Sequence, residues 1–213
     1  MADPERPGAQ RWLPGSGGVS ALRDAADSCR GCELWRDATQ TVFSSGPAHA
    51  AIVLVGEQPG DREDQTGQPF VGPAGGVLDD AIVAAGLDRG DLYLTNAVKH
   101  FRHRREGKRR IHETPTVGQI LACHPWLQAE LDIVRPRVVV CLGATAARAV
   151  LGRPTPVSAN RGRAIEAPPE VAGRVVVTTH PSALLRLRGK PGWDAAFDAF
   201  VADLQTAAAL AHG

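Results

Sequence analysis

The chain of 213 residues carries a formal net charge of +1, is 43% hydrophobic and 22% charged, and contains four cysteines. This composition predicts one globular domain with a sizeable core, and no apolar run is long enough to span a membrane. Because the first residues lack the apolar stretch of a signal peptide, we expect a cytoplasmic protein whose cysteines are reduced and open to metal ligation.

The predicted elements alternate between strands and helices. Residues 1–19 are rich in Pro, Gly and Ser and predict a flexible arm in front of a domain over residues 20–213. Helices are predicted over residues 21–28, 75–85, 116–134, 144–151 and 193–211. Strands are predicted over residues 51–55, 92–95, 137–142 and 174–179. This alternation predicts an open parallel sheet that is covered by helices on both faces.

Polar or glycine residues come directly after each of the four predicted strands. They are Gly56, Glu57 and Gln58, then Asn96, Gly143 and His180, in strand order. In open parallel sheets, ligands bind at the carboxyl ends of the strands, where the strand order switches. We therefore predict that these residues converge on a single site.

A glycine-rich loop is expected over residues 56–76. It lacks the Lys-Ser/Thr ending of an NTPase loop and the spacing of a dinucleotide fingerprint, which argues against a nucleotide-binding protein that does not act on DNA. The carboxylates of Glu57 and Asp61, the amide of Gln58 and free backbone N–H groups suit reading a planar polar ligand and placing a water or a base. Phe70 could stack on a nucleobase. Solvated acids and an ordinary hydrophobic contact are the alternatives.

Asn96 and His180 are further candidates for recognition of a base. The amide of Asn96 can both donate and accept, enough to pair with two adjacent polar atoms on a pyrimidine edge, although a turn or cap residue is the alternative. After His180 and Ser182 comes a bulky apolar and basic segment that ends at Arg186. Such a segment could wedge into a duplex from which a nucleotide is extruded, whereas the alternative is a structural histidine before a helix.

The segment from Thr95 to His112 is strongly basic, since seven of the twelve residues from Lys99 to Arg110 are Lys or Arg. Self-repulsion makes such a loop costly unless a polyanion shares it, so we predict a loop that faces nucleic acid. A solvated surface loop is the alternative. The candidate DNA contacts in it are Lys99, Arg102, Arg104, Arg105, Lys108, Arg109 and Arg110.

Cys29-x-x-Cys32 is a chelating pair that can bind zinc or an iron–sulfur cluster. A redox dithiol is the rival, but that motif is expected after a strand, and this one precedes the first strand. Cys123, near the start of the long helix, can supply a further ligand. Cys141 lies in a Val-rich strand and is expected in the core. His100 is therefore the better fourth ligand, with a surface histidine as the alternative.

As a set, these motifs resemble the iron–sulfur (family 4) branch of the uracil-DNA glycosylase superfamily. The motifs are Cys29-x-x-Cys32, residues 56–60, 69–75 and 95–99, Cys123, residues 142–145 and residues 180–182. The resemblance implies a three-layer α/β/α sandwich around a four-stranded parallel sheet. It also implies a 4Fe–4S cluster of structural role, held by Cys29, Cys32, His100 and Cys123.

Two departures from family 4 resemble the UdgX subgroup, whose members become covalently attached to uracil-DNA. His100 stands where family 4 usually has a cluster cysteine, and a longer basic loop ends in Lys108-Arg-Arg-Ile-His112. The implied catalytic residues are His112, Glu57, His180 and Asp61. The implied uracil pocket consists of Gly56, Gln58, Phe70 and Asn96. The implied DNA contacts are Lys99, Arg102, Lys108, Arg109, Arg110, Ser182 and Arg186.

The resemblance implies uracil excision from single-stranded and also double-stranded DNA, by a monomer located with the nucleoid and not in a membrane. His112 would then capture the sugar C1′ in a single turnover. Ordinary multiple-turnover family 4 hydrolysis is the first alternative. A non-catalytic nucleic-acid-binding module with a structural zinc is the second, but it would give Asn96, Glu57 and His180 no function.

Overall fold

The Val-, Leu- and Ile-rich segments form the buried strands of one mixed sheet in a computed structural model, which describes residues 6–212. The sheet strands are β1 (Ser44–Ser45), β2 (Ile52–Gly56), β3 (Leu92–Asn96), β6 (Val138–Leu142), β7 (Ala164–Glu166) and β8 (Arg174–Thr178); β4 (His103–Glu106) and β5 (Arg109–His112) form a separate hairpin. The order across the sheet is β1-β3-β2-β6-β8-β7. The four central strands are parallel, and each edge strand runs antiparallel to its neighbour.

Eight α-helices and three short 3-10 turns surround the sheet within residues 6–212. The α-helices are α1 (Val19–Ala26), α2 (Asp61–Thr66), α3 (Pro73–Ala84), α4 (Val117–Val134), α5 (Ala144–Leu151), α6 (Val157–Asn160), α7 (Pro181–Leu185) and α8 (Trp193–His212). The 3-10 turns are Ala9–Trp12, Glu33–Arg36 and Arg89–Asp91. None of the described helices has the length and apolar character needed to cross a membrane.

Alternate residues of the central strands face two separate hydrophobic clusters, which makes the protein a three-layer α/β/α sandwich. In β2, Val53 and Val55 face the cluster that contains Trp126 of α4. Ile52 and Leu54 face the other cluster, with residues of α3 and α8. Because side chains alternate across a strand, a run that is apolar at every position is buried on both faces. The predicted sandwich is confirmed.

The sheet has two strands more than the sequence predicted. The four predicted parallel strands are all present, but β1 and β7 extend the sheet at its edges. These additions have two and three residues, and β1 consists of two serines, so neither carries the apolar pattern of a buried strand. The expected loop over residues 56–76 also contains a short helix, α2.

The chain changes direction across the sheet at β2. From β2 the chain passes through α3 to β3 on one side, and from β3 it passes through α4 to β6 on the other side. The register pairs Gly56 at the end of β2 with Asn96 at the end of β3. The strand-order switch therefore lies beside the residues that the sequence placed in one site.

The N-terminal segment packs against the domain from residue 6 onward. Arg6 forms an ion pair with Glu33 at 2.7 Å, the backbone N–H of Gly8 donates to the carbonyl of Gly31, and Ala9 is fully buried. Residues 6–13 therefore differ from the predicted free arm, since they pack against the Cys29–Cys32 turn and the neighbouring core. Residues 1–5 of the predicted arm lie outside the described residues.

A buried ion pair joins the end of β3 to α4. Lys99 is only 1% exposed, and its ammonium group binds Glu130 Oε2, Thr95 Oγ1 and the carbonyl oxygen of Asn96. The Glu130 carboxylate also accepts hydrogen bonds from Thr95 and from the Tyr93 hydroxyl. Lys99 was predicted to contact DNA, and the structure contradicts this, because its charge is neutralised inside the core.

Replacement of Glu130 by Leu should destabilise the protein by about 3–5 kcal/mol, because it leaves the Lys99 charge buried without a partner. Urea unfolding of the variant measures this loss. Asp132→Ala, at an exposed position of the same helix, should change stability by less than about 0.5 kcal/mol. The double variant with Lys99→Met should recover much of the loss. A loss below about 1 kcal/mol in the single variant would contradict the prediction.

Candidate active site at the carboxyl ends of the strands

A cavity of about 620 Å³ opens at the carboxyl ends of β2, β3, β6 and β8. Nine residues that the sequence singled out by number line it. They are Glu57, Gln58, Phe70, Asn96, His112, Gly143, His180, Ser182 and Arg186. The predicted convergence of strand ends on one site is therefore present in the structure. His112 comes from the basic hairpin, and the cavity also receives Thr145 from the start of α5.

Asn96 presents an unsatisfied acceptor to this cavity. The residue is 2% exposed, and its Oδ1 is the one buried side-chain N or O atom without a hydrogen-bond partner among the described residues. A buried, unpaired amide oxygen costs about 1–3 kcal/mol, so its presence points to a ligand donor. A Cβ atom on Gly56 would lie 2.3 Å from this oxygen and 2.6 Å from Phe70 Cζ, so glycine keeps this space open.

Phe70 is held beside Asn96 in an uncommon backbone conformation. Its φ of 56° is rare for an aromatic residue, and such outliers persist where the surroundings fix them. Glu63 of α2 supplies this restraint, since its carboxylate accepts from the N–H groups of Val71 and Gly72 on one side and of Gly60 on the other. One buried side chain thus fixes both loops that flank the cavity.

The hydrogen bonds of His180 define which ring nitrogen carries its proton. Nδ1 accepts a hydrogen bond from the backbone N–H of Ser182 at 3.1 Å, so this nitrogen is unprotonated. Burial lowers the pKa of His180 to about 4, and nearby His112 and Arg186 act in the same direction. The neutral ring therefore carries its proton on Nε2 and can donate one hydrogen bond without carrying a charge.

Glu57 lies between two side chains that orient its carboxylate. The hydroxyl of Thr145 donates a short hydrogen bond to Glu57 Oε2. Glu57 Oε1 is 3.4 Å from His112 Nε2, the long limit of a hydrogen bond. His112 itself is half-exposed at the cavity mouth. An imidazole next to an oriented carboxylate has the arrangement of a nucleophile with a partnering base.

The basic segment is a β-hairpin rather than an irregular loop. His103 pairs with His112 at its base, and Glu106 pairs with Arg109 next to the turn at Gly107. The Gln58 side chain holds the hairpin to the sheet, since its amide nitrogen donates to the carbonyls of residues 102 and 113 and its oxygen accepts from the N–H of residue 102. Gln58 therefore positions His112, and its side chain is not free to read a base.

Two further predicted site residues have structural partners instead. Arg110 forms ion pairs with Asp61 at 2.5 Å and with the buried Asp64 at 2.5 Å, so the predicted DNA contact Arg110 and the predicted catalytic residue Asp61 partly neutralise each other. Asp61 is not among the residues that line the cavity, and its catalytic role stays a prediction. Arg102 also has partners within the protein, since it donates to the carbonyl oxygen of Thr114 at 2.6 Å and forms an ion pair with Glu113 at 3.5 Å.

The charges that stay open to solvent lie near the hairpin turn. Arg105, Lys108 and Arg109 are exposed, and no carboxylate in the described part of the chain pairs with them. Arg186 and Ser182 supply polar groups at the opposite wall of the cavity. The predicted DNA-binding set is thereby reduced to the hairpin turn and the segment after His180.

Comparison with known proteins agrees with this geometry. The model of the uracil DNA glycosylase superfamily matches residues 43–205. This chain belongs to the uracil-DNA glycosylase superfamily. A Type-4 uracil-DNA glycosylase of Thermotoga maritima is 39% identical over 172 residues, which cover 80% of this chain and 84% of the relative. Type-4 uracil-DNA glycosylases of Archaeoglobus fulgidus (37%, covering 74% and 78%) and Pyrobaculum aerophilum (32%, covering 81% and 88%) are also similar.

Three of the four cysteines of this superfamily member share one buried region behind the hairpin. Cys29, Cys32 and Cys123 are buried. Cys29 Sγ accepts from the indole N–H of Trp126 and the backbone N–H of residue 31, Cys123 Sγ accepts from the backbone N–H of residue 99, and the backbone of residue 34 hydrogen-bonds the Cys32 thiol. Burial raises the pKa of Cys123, and the neighbouring Cys32 adds to the rise. Cys141 lies apart in β6, within the core, as the sequence predicted.

These residues fit an iron–sulfur cluster in their chemistry. Buried thiols that receive N–H donors are typical of such clusters, whose sulfurs accept hydrogen bonds from the protein. His100 is buried, and its Nε2 lies 3.1 Å from Thr41 Oγ1. Among residues 6–212, no three His, Cys, Asp or Glu side chains are already arranged as metal ligands, so the ligand set is a proposal taken up below.

Sequence reasoning assigned no role to Glu63 and named Thr145 only as part of a motif. Glu63 follows Gly60 by three residues, the spacing at which a helix N-terminal carboxylate reaches back to a backbone N–H. That spacing was a readable signal for the helix start. No sequence pattern indicated that the same carboxylate would also bind the Phe70 loop, because that contact joins two separate loops.

The lowered pKa of His180 predicts a pH effect on stability. Since the folded value of about 4 lies below the ordinary 6.5, between these values the unfolded chain binds a proton that the folded chain does not. Stability should therefore fall as pH decreases through this window, by roughly 1–3 kcal/mol from this residue. Urea unfolding between pH 7 and pH 4 should show a shallower decline for His180→Asn, which keeps a capping acceptor. Identical pH dependence in both proteins would contradict the prediction.

Proposed function

We propose that the protein excises uracil from DNA. The observation that carries this proposal is the unpaired Oδ1 of Asn96, buried in a cavity that also contains Phe70 and the neutral His180. An imide N–H of uracil is a donor for that oxygen, and the aromatic ring of Phe70 can stack on the base. Membership in the superfamily and the similarity to Type-4 uracil-DNA glycosylases support the same substrate.

The first step is extrusion of the uracil nucleotide from the strand into the cavity. Exposed cations at the hairpin turn, Arg105, Lys108 and Arg109, bind the phosphates, and this contribution weakens with salt. Extrusion costs a few kcal/mol of stacking, least for a single strand, and contacts in the cavity offset it. The substrate is thus a single strand or a duplex from which the base can flip.

The second step is rupture of the bond between N1 of uracil and C1′ of the sugar. The electron pair leaves with uracil, so negative charge develops on the base. The Nε2 proton of His180 is a preorganised donor for a uracil oxygen, and such donors stabilise charge that develops in the transition state. A neutral histidine serves here because it stabilises the anion without protonating it first.

The third step is capture of the resulting sugar cation by His112. The unprotonated Nε2 of the neutral ring, whose proton is on Nδ1, forms the bond to C1′, and the Nδ1 proton then passes to water. Glu57 Oε1 lies 3.4 Å from Nε2, so its carboxylate offsets the positive charge that develops on the ring. Thr145 keeps that carboxylate oriented. The product is a histidine–sugar adduct, so each protein molecule reacts once. The released uracil anion takes its proton from water.

Ordinary multiple-turnover hydrolysis is the second candidate, favoured by the similarity to Type-4 uracil-DNA glycosylases. In that case a water molecule held by Glu57 attacks C1′ in place of His112. Both candidates use the same cavity and the same departure step. They differ only in which nucleophile forms the new bond to the sugar.

His112→Ala should abolish a covalent adduct with uracil-containing single-stranded DNA. A denaturing gel of the native protein should show a shifted band that survives heat and detergent, because the bond to C1′ is covalent. His112→Ala should give no band, and any uracil it releases should come from water attack. His103→Ala, which removes the cross-strand partner of His112 but not the nucleophile, is the matched control and should retain the adduct.

If the native protein releases many equivalents of uracil per molecule and forms no adduct, multiple-turnover hydrolysis is the function. If it releases no uracil in either mode, the glycosylase proposal fails.

We also propose that Cys29, Cys32, Cys123 and His100 hold a 4Fe–4S cluster. The three buried sulfurs with their N–H donors support it, as does the position of His100 directly after Lys99, whose backbone N–H donates to Cys123 Sγ. The cluster would supply a structural cross-link between the N-terminal segment, the base of the hairpin and α4. On this proposal the cluster takes no part in excision, which uses only the residues of the cavity.

Iron analysis tests the ligand set. The purified native protein should be brown and contain about four iron atoms per chain. Cys123→Ser and His100→Ala should lose iron and unfold at lower urea concentration, whereas Cys141→Ser should keep its iron. Iron retained in His100→Ala and lost in the Cys141 variant would reverse the assignment. Zinc in place of iron in the native protein would support a structural zinc instead.

We also propose that the protein acts as a monomer, with the cellular DNA and not in a membrane. One chain by itself places Asn96, Phe70, His112 and His180 around the cavity, so the proposed reaction needs no residue from a second copy. Gel filtration of the protein with and without a uracil-containing strand measures the oligomeric state.

A further inference from the structure

A surface cluster of one tryptophan and two arginines lies outside the cavity and has no role in the excision steps. The guanidinium carbon of Arg30 is 4.3 Å from the centroid of the Trp35 ring, and that of Arg36 is 5.8 Å away. Both arginines are exposed, and Trp35 is partly exposed. We call these three residues the Trp35 platform. They come from the Cys29–Cys32 turn and the 3-10 turn that follows it.

The guanidinium group of Arg30 is fixed as a flat surface. One face rests on the indole ring, and Nη1 donates to the carbonyl oxygen of Cys29 at 2.9 Å. Guanidinium planes and aromatic rings are the surfaces on which single-stranded bases stack. Because the side chain is already ordered, a base that stacks on it costs little further conformational entropy.

The charge at the platform is free to meet an anion. The nearest acid in the 3-10 turn, Glu33, accepts from Arg6 and Gln119 and is thereby occupied. Asp37 follows Arg36 in sequence and is exposed, but no ion pair joins it to either arginine in the described part of the chain. Arg30 and Arg36 can therefore each take a phosphate beside a stacked base.

The platform is close along the chain to a residue that contacts the hairpin. Thr39 lies four positions after Trp35, and its Oγ1 accepts from Arg110 of the hairpin at 3.1 Å. Four residues span at most about 14 Å, the length of roughly four nucleotides at duplex spacing. A strand whose uracil occupies the cavity and whose phosphates follow the hairpin can reach the platform several nucleotides from the uracil.

From this arrangement we propose that Trp35, Arg30 and Arg36 form a second DNA contact, which binds the single strand that flanks the extruded uracil. The proposal rests on the proposed function for the position of the uracil. The bases stack on the Arg30 plane and the indole edge, and the phosphates pair with the guanidinium groups. The contact is indifferent to sequence, since every base has a face for stacking.

A purely structural role is the alternative reading of Trp35, since the ring lies next to the buried cysteine region. The two readings predict different effects of DNA length. A structural defect impairs the reaction on any substrate, whereas loss of a flanking contact impairs it only when the strand is long enough to reach the platform. A pentamer with a central deoxyuridine ends before the platform, and a strand of about 21 nucleotides extends past it.

The experiment compares uracil release from these two strands at protein concentrations below saturation. For Trp35→Ala, the rate on the long strand should fall about 5- to 150-fold, the range observed for loss of one stacked base, while the rate on the pentamer stays within twofold of native. Arg30→Lys keeps the charge but loses the plane, so it should weaken only the long strand as well. Arg36→Ala should lower the slope of log binding constant against log salt concentration by about one, because one phosphate contact is lost.

Arg174→Ala is the matched control, because this exposed arginine is at the amino end of β8, and the cavity lies at the carboxyl ends of the strands. It should change neither rate. If Trp35→Ala lowers the rate of uracil release equally on the pentamer and on the long strand, the tryptophan has a structural role and the proposal is overturned. Unchanged rates on both strands would overturn it too.

Binding of a long strand without uracil, measured by fluorescence anisotropy, separates this proposal from the proposed function. The platform should contribute to that binding whether or not the protein releases uracil. A native protein that releases no uracil but binds the long strand more tightly than Trp35→Ala would refute the glycosylase proposal alone. Equal binding by the two proteins would refute the platform.

Discussion

The register between β2 and β3 is the constraint on which the site depends. It sets Gly56 opposite Asn96, so that the amide of one strand end lies over the open space that a glycine leaves at the next. A shift by one residue would turn Asn96 to the other face of the sheet. The buried pair of Lys99 and Glu130 holds this end of β3 in place, since Lys99 also binds the Asn96 carbonyl.

The basic segment uses its charges in two ways. Lys99, which precedes the hairpin, pairs with Glu130 in the core, and Arg110 of β5 pairs with Asp61 and Asp64, so both charges hold the segment against the rest of the domain. Gln58 holds the hairpin base, and Phe101 packs against both His103 and His112. The rigid hairpin carries His112 into the cavity mouth, while its turn keeps the exposed cations. The positive charges of this segment therefore hold the hairpin in position as well as attract phosphates.

The site combines groups that differ in how they are held. His180 is fixed by its own helix cap, Phe70 by Glu63, and Glu57 by Thr145. Each restraint is a hydrogen bond made by the functional residue itself or by the loop that carries it. Such restraint is what preorganised electrostatic stabilisation requires, because donors that are already aimed need no rearrangement when charge develops.

Sequence reasoning recovered the sandwich, the four parallel strands and most of the residues that line the cavity. It could do so because buried strands have continuous apolar runs, and because parallel strands bring their carboxyl ends to one edge. It missed β1 and β7, which are too short and polar to carry a pattern. It also misassigned the buried Lys99 and did not predict that Arg110 pairs with Asp61, because a charged side chain looks the same in sequence whether it faces solvent or a partner within the protein.

The sequence by itself determined the order of strands and helices, the chemistry of the residues at the strand ends and the presence of a concentrated positive charge. Tertiary structure alone decided which of those charges are neutralised and that the basic segment is a hairpin. It also decided that Glu63 holds the Phe70 loop and that Gln58 holds the base of the hairpin. The physical reason is distance along the chain. Periodicity and local composition record contacts within an element, whereas a partner such as Glu130, Asp64 or Glu63 is specified only once separate elements pack together.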